Sequence, residues 1–261
     1  MNVVFGNTPT SRSERPDMPE SAPNAELLSA LGQMVRGLSA LFWGIPAALI
    51  VCVQTAKGDW LRTMGIFPPL LVTAILYYGL HMLGKFQKQE RVWRAALERA
   101  KVLAIINVGL SPFLYWYNKI PSQLFFTVVI SILAFTGMTF LLALNPVLWR
   151  LAAMLPDETL RQETKFFTAF NRNLLLVCMA LTALFLGIAW SNSLMLEQVF
   201  DFIVGLIPPG RRPGPLLILL DRSAGVWLML FLILPPIAMT MALIWKVKEV
   251  IFASVFGSDH G

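Results

Sequence analysis

Residues 85–101 read KFQKQERVWRAALERAK, six Lys or Arg against two Glu, in a chain otherwise made of long apolar runs. The run before this stretch, Thr63 to Gly84, and the run after it, Val102 to Tyr117, contain no Asp, Glu, Lys or Arg. A basic segment between two such runs marks the cytoplasmic flank of a membrane protein, because Lys and Arg accumulate in cytoplasmic loops. The remaining segments are placed relative to it.

Composition points the same way. The 261 residues are 56% apolar, with a mean hydropathy of +0.65 and only 14% charged residues. A soluble domain carries about 25% charged residues, so the deficit implies lipid as the solvent. Lys and Arg outnumber Asp and Glu by 21 to 15. They are scattered over several loops instead of forming one basic patch, which fits cytoplasmic flanks and not nucleic-acid binding.

A spanning helix needs about 20 mostly apolar residues. Six segments approach that length: 38–56, 63–84, 102–117, 124–144, 174–190 and 224–245. The third ends in Tyr115-Trp116-Tyr117, a cluster suited to a headgroup interface. The fourth is expected to stop at Asn145-Pro146. With both termini inside, fifteen of the 21 Lys and Arg lie on cytoplasmic segments and six on the outer loops. The expected fold is therefore an all-α integral membrane bundle of about six helices, N-in and C-in, in a plasma (inner) membrane.

Outside the spans, residues 1–24 are polar and rich in Pro and Ser, and read as a disordered cytoplasmic tail, not a signal peptide. Residues 25–261 form the membrane domain, opening with an amphipathic stretch from Ala25 to Val35. Within 85–101, Phe86, Trp93, Leu97 and Ala100 are expected to share one helical face, and Glu90 with Arg94 forms a favourable i,i+4 pair. The 145–173 loop is expected to hold a second cytoplasmic helix after Pro156. Beyond the fifth span, Leu194 to Ile207 is amphipathic and too short to cross. It reads as an interfacial helix before the stiff turn PPGRRPGP.

Chemistry is sparse. None of the six spans contains an ionisable Asp, Glu, Lys or Arg, whereas proton relays, ion-coupled transporters and voltage sensors use such groups as a rule. His81 and His260 are the only histidines, so the chain has no H-E-x-x-H site, and it has no nucleotide-binding glycine motif. No catalytic, cofactor or metal residue is expected. His81 reads either as a pH-sensitive gate or as an interfacial histidine, and Asn107 either as the lining of a polar path or as an interhelical hydrogen-bond partner. Small residues at Ala40, Gly44 and Ala48, at Thr127, Ser131, Ala134 and Gly137, and at Ala180, Ala183 and Gly187 read as packing stripes.

The layout of residues 25–261 resembles the membrane subunits of export-type ATP-binding cassette transporters. The shared features are six helices, both termini inside, an amphipathic segment before the first helix and a short outer helix between the last two. The long 145–173 loop departs from that pattern. The resemblance implies a permease for lipid-like or amphipathic cargo working with a separate ATPase. The residues themselves favour a non-catalytic membrane-complex subunit or scaffold. Lys85, Lys88, Arg91, Trp93, Arg94, Arg99 and Lys101 would contact lipid headgroups or partner proteins, and an oligomer of this chain is compatible with that reading. A headgroup-modifying enzyme using Asp157, Glu158, Glu163 or Asp201 is a third reading.

Overall fold

The computed structural model describes residues 22–58, 60–85, 91–120, 123–154, 158–190 and 222–256, and these are almost wholly helical, with no strand among them. Seven α-helices follow in order: α1 Ala22–Lys57, α2 Phe67–Leu83, α3 Arg91–Leu110, α4 Phe113–Lys119, α5 Leu124–Ala153, α6 Glu158–Trp190 and α7 Arg222–Phe256. The 1–21 part of the tail, Phe86, Lys88, Glu90 and the outer amphipathic stretch with its PPGRRPGP turn lie outside the described residues.

Four helices are long and apolar enough to cross a membrane, within Ser29–Lys57, Leu124–Ala153, Arg161–Leu184 and Phe231–Phe252. The sequence suggested six. The segments expected as the other two spans are each divided. Helix α2 has 17 residues, about 26 Å at 1.5 Å per residue, and is preceded by the 3-10 turn Arg62–Met64. The turn is completed by Gly65 at φ 65°, a conformation that glycine adopts at little cost, and α2 then starts on Pro68 and Pro69, whose missing N–H groups are no loss in a first turn. Helix α3 starts with charged residues and breaks before α4. Pro112 has no N–H to give the Val108 carbonyl, and the Ser111 hydroxyl occupies that carbonyl instead, at 3.0 Å.

Two expected boundaries are displaced. Helix α3 runs unbroken from Arg91 to Leu110, so residues 91–101 of the basic segment are the first part of the helix that carries the following apolar residues and not a separate helix. Helix α5 does not stop at Asn145-Pro146. It continues to Ala153 because Val147, Leu148, Leu151 and Ala152 extend its buried face through the proline. The expected 145–173 loop accordingly shrinks to a short connection, and α6 begins at Glu158.

Helix α1 packs on α2, α2 on α3, α3 and α4 on α5, α5 on α6 and α6 on α7, and α7 returns against α1 to close the bundle. Helices α1 and α2 approach most closely at two glycines. A Cβ on Gly37 would stand 2.8 Å from the Gly79 carbonyl oxygen, and one on Gly79 would stand 3.0 Å from that of Gly37. The large buried side chains gather at the end where α2 passes to α3 and α5 to α6. Leu38, Leu80, Leu83, Trp93, Leu148 and Ile244 are all fully or almost fully enclosed there. This is called the lower end. Towards the upper end large apolar side chains such as Phe67, Leu71, Leu124, Phe125, Leu184 and Phe231 face outward. The upper end is tied by Asn118, whose Nδ2 donates to the Thr55 and Gly58 carbonyls, 3.0 Å each, and so covers orphan carbonyls at the end of α1.

Candidate functional site

The lower part of α3 carries the sequence-derived candidates, and helical geometry sorts them. Trp93, Leu97 and Ala100 recur at three and four residues, so one face of the helix is apolar and turns into the core. Trp93 is 1% exposed. It is therefore an anchor for the helix and not part of a contact surface. Arg91, Arg94 and Arg99 are exposed on the rest of the cylinder, and Lys85 is exposed just past the end of α2. Lys101 faces Glu98 at 3.2 Å, and its ammonium lies beside Gly84. The exposed cations without an ion pair among the described residues are thus Lys85, Arg91, Arg94 and Arg99, while Lys101 serves to hold α3 against the α2 terminus.

His81 is exposed, with its ring 6.3 Å from that of Tyr77 one turn earlier. Asn107 is buried, and its Oδ1 accepts a hydrogen bond from Thr136 of α5 at 2.7 Å. One turn further up, the Thr73 hydroxyl is shared between the Pro69 carbonyl at 2.8 Å and Ser111 Oγ at 3.3 Å. Asn107 therefore joins α3 to α5, and Ser111, in the turn after α3, meets α2.

A second polar group escaped the sequence reading. Asn171 of α6 donates to Asn145 Oδ1 of α5 and to Thr240 Oγ1 of α7, 3.0 Å each, and Thr240 donates in turn to the Pro236 carbonyl at 2.8 Å. All three residues are buried. Thr164 and Thr168 precede Asn171 by seven and three residues and continue the same face of α6. The signal was present in that spacing, but Asn145-Pro146 read as a helix stop and hid the partner. Just below, Lys246 of α7 pairs with Glu163 of α6, both about half exposed.

Chemically the interior is neutral. Among the described residues no three His, Cys, Asp or Glu side chains converge in a way that would hold a metal ion. Glu98 and Glu163 are each engaged by a lysine, so neither stands as a free general base. Comparison with known protein families, curated proteins and solved structures returns no match for this chain.

Proposed function

We propose that this is a non-catalytic subunit or scaffold of a membrane complex, crossing the bilayer six times with both termini and the lower end on the cytoplasmic side. Outward-facing Phe, Leu and Trp side chains support the lipid setting. Trp60 and Trp116 are exposed at the upper end, where an aromatic belt meets the headgroups. The two divided traverses supply the fifth and sixth crossings, since Arg91 to Lys119 together cover 29 positions in spite of the turn at Ser111-Pro112.

One observation carries the functional part. Lys85, Arg91, Arg94 and Arg99 stand exposed at the lower end of a bundle whose buried polar groups are neutral Asn, Ser and Thr. Arg91, Arg94 and Arg99 are held on the helix anchored by Trp93 and Lys85 just past the end of α2, so they form a surface for anionic headgroups or an acidic partner protein. The interior offers neither an acid–base pair nor a charged pathway.

The test is affinity purification of the tagged protein from its native membrane in mild detergent, beside an Arg91→Gln/Arg94→Gln/Arg99→Gln variant. The expected result is a set of membrane proteins in fixed ratio with the wild type and depleted with the variant. A stoichiometric ATPase would support a permease instead. Recovery of the wild-type chain alone would overturn the scaffold reading.

A further inference from the structure

The interface of α5, α6 and α7 holds four side-chain polar atoms that are sealed from solvent and have no hydrogen-bond partner in the protein: Thr164 Oγ1, Thr168 Oγ1, Asn171 Oδ1 and Asn145 Nδ2. Thr164, Asn145 and Asn171 are no more than 2% exposed. Buried polar groups are nearly always paired, and each exception needs a physical cause.

The two threonines also differ from most helical threonines described in this chain. A helical hydroxyl normally turns back to the carbonyl four residues earlier. Thr55, Thr73, Thr139, Thr182 and Thr240 all do so, at 2.7–2.8 Å. Thr164 and Thr168 do not, although both lie within α6, and instead their hydroxyls are left for a partner in the interface. With Asn171 they occupy positions i, i+4 and i+7, one continuous stripe. The next two residues on that stripe, Leu175 and Cys178, are buried and apolar, so the polar strip has a dry upper limit. Its lower limit is close to the end of the bundle, since Thr164 lies six residues, about 9 Å, from the first residue of α6.

The character of the free atoms selects the ligand. Asn145 Nδ2 only donates, Asn171 Oδ1 only accepts, and the two hydroxyls do either. A bare cation would face the Asn145 N–H group, and a bare anion would find no positive charge. Water satisfies both kinds of group, and a buried water typically makes about three hydrogen bonds to otherwise unpaired polar atoms. We propose that the lower half of the α5–α6–α7 interface, shut to a molecule the size of water in the packed helices, opens to admit water as an inlet lined by Thr164, Thr168, Asn145 and Asn171 and closed above by Leu175. The inlet does not depend on which side of the membrane the lower end occupies.

The experiment uses the full chain in lipid nanodiscs, where both faces are open to reagent, in a Cys52→Ala/Cys178→Ala background. Thr164→Cys, Thr168→Cys, Leu175→Cys and the exposed control Lys165→Cys are each treated with methyl methanethiosulfonate. Only the thiolate reacts, and a thiolate forms only where water reaches it. The expected result is modification at 164 and 168 at least about tenfold faster than at 175. Rates at 164 and 168 as slow as at 175 would overturn the inlet. A second variant, Thr164→Val/Thr168→Val, guards against misfolded cysteine variants. Removing hydrated hydroxyls should lower Tm by about 2–8 °C, whereas removing dry, unpaired hydroxyls would raise it and overturn the proposal.

Discussion

At the scale of single residues, two prolines have the carbonyl they free covered by a side chain, one from the adjacent residue and one from another helix. Pro112 frees the Val108 carbonyl, which Ser111 occupies, and Pro236 frees the Leu232 carbonyl, which the Cys178 thiol approaches at 3.5 Å from another helix. Pro146 sits beside Asn145, which is held by Asn171. The kink at Pro112 was legible because proline acts locally. The cover for Leu232 was not, because its donor lies 54 residues away. Ser111→Ala should therefore cost about 1 kcal/mol, as it leaves Val108 uncovered inside the bundle. Thr73→Val should cost less, because Thr73 bonds mainly to a carbonyl of its own helix. Unfolding in mild detergent with increasing denaturant would check both, and a larger loss for Thr73→Val would mean that the α2–α3 contact matters more than the proline cover.

At the scale of helices, the small-residue stripes divide into one that packs and two that face outward or open space. In α1 the expected stripe is real, since a Cβ on Gly44 would meet Leu76 Cδ2 at 2.8 Å. The tighter crossing, Gly37 on Gly79, was not legible because a glycine pair becomes visible only when two helices are docked. Gly137 and Gly187 have nothing within 4 Å, and Ala134, Ala180 and Ala183 are exposed. Gly79→Val should force α1 and α2 apart and lower stability by about 1–3 kcal/mol, whereas Gly187→Ala in α6 should be neutral or slightly stabilising. The ion pair between α6 and α7 is a different kind of link. Glu163 and Lys246 are about half exposed, so Glu163→Gln should cost no more than about 1 kcal/mol, with the difference vanishing in high salt. Thermal unfolding of the three variants beside the wild type would rank them. A destabilisation by Glu163→Gln as large as that by Gly79→Val would show that the pair is shielded from water.

At the scale of the whole molecule, an all-helical chain with helices long and apolar enough to cross a membrane was legible while the continuity of the helices was not. Hydropathy marks where a helix can meet lipid, and it cannot show that α3, α5 and α6 continue past the apolar run, because the extension depends on neighbours. Trp93 and Leu97 of α3, Val147 and Leu148 of α5, and Asn171 of α6 are all buried in segments read from sequence as loop or surface helix. The consequence is a bundle with its core concentrated at the lower end, where the helices are best able to hold one another without lipid. The proposed six-crossing arrangement then makes a definite prediction about sides. Trp60, 80% exposed in the first connection, belongs to the upper end, and Met154, in the turn between α5 and α6, to the lower. In sealed cells a membrane-impermeant thiol reagent should label Trp60→Cys from outside and spare Met154→Cys, and inside-out vesicles should reverse the pattern. Replacing Lys85, Arg91, Arg94, Arg99 and Lys101 with Gln should yield a mixed population labelled at both sites, because those cations supply much of the charge bias that orients the chain. Labelling of Trp60→Cys and Met154→Cys from the same side in the wild-type background would exclude six crossings. The intervening α2, α3–α4 and α5 would then have to cross an even number of times, leaving one of the two divided traverses lying along the membrane surface instead of through it.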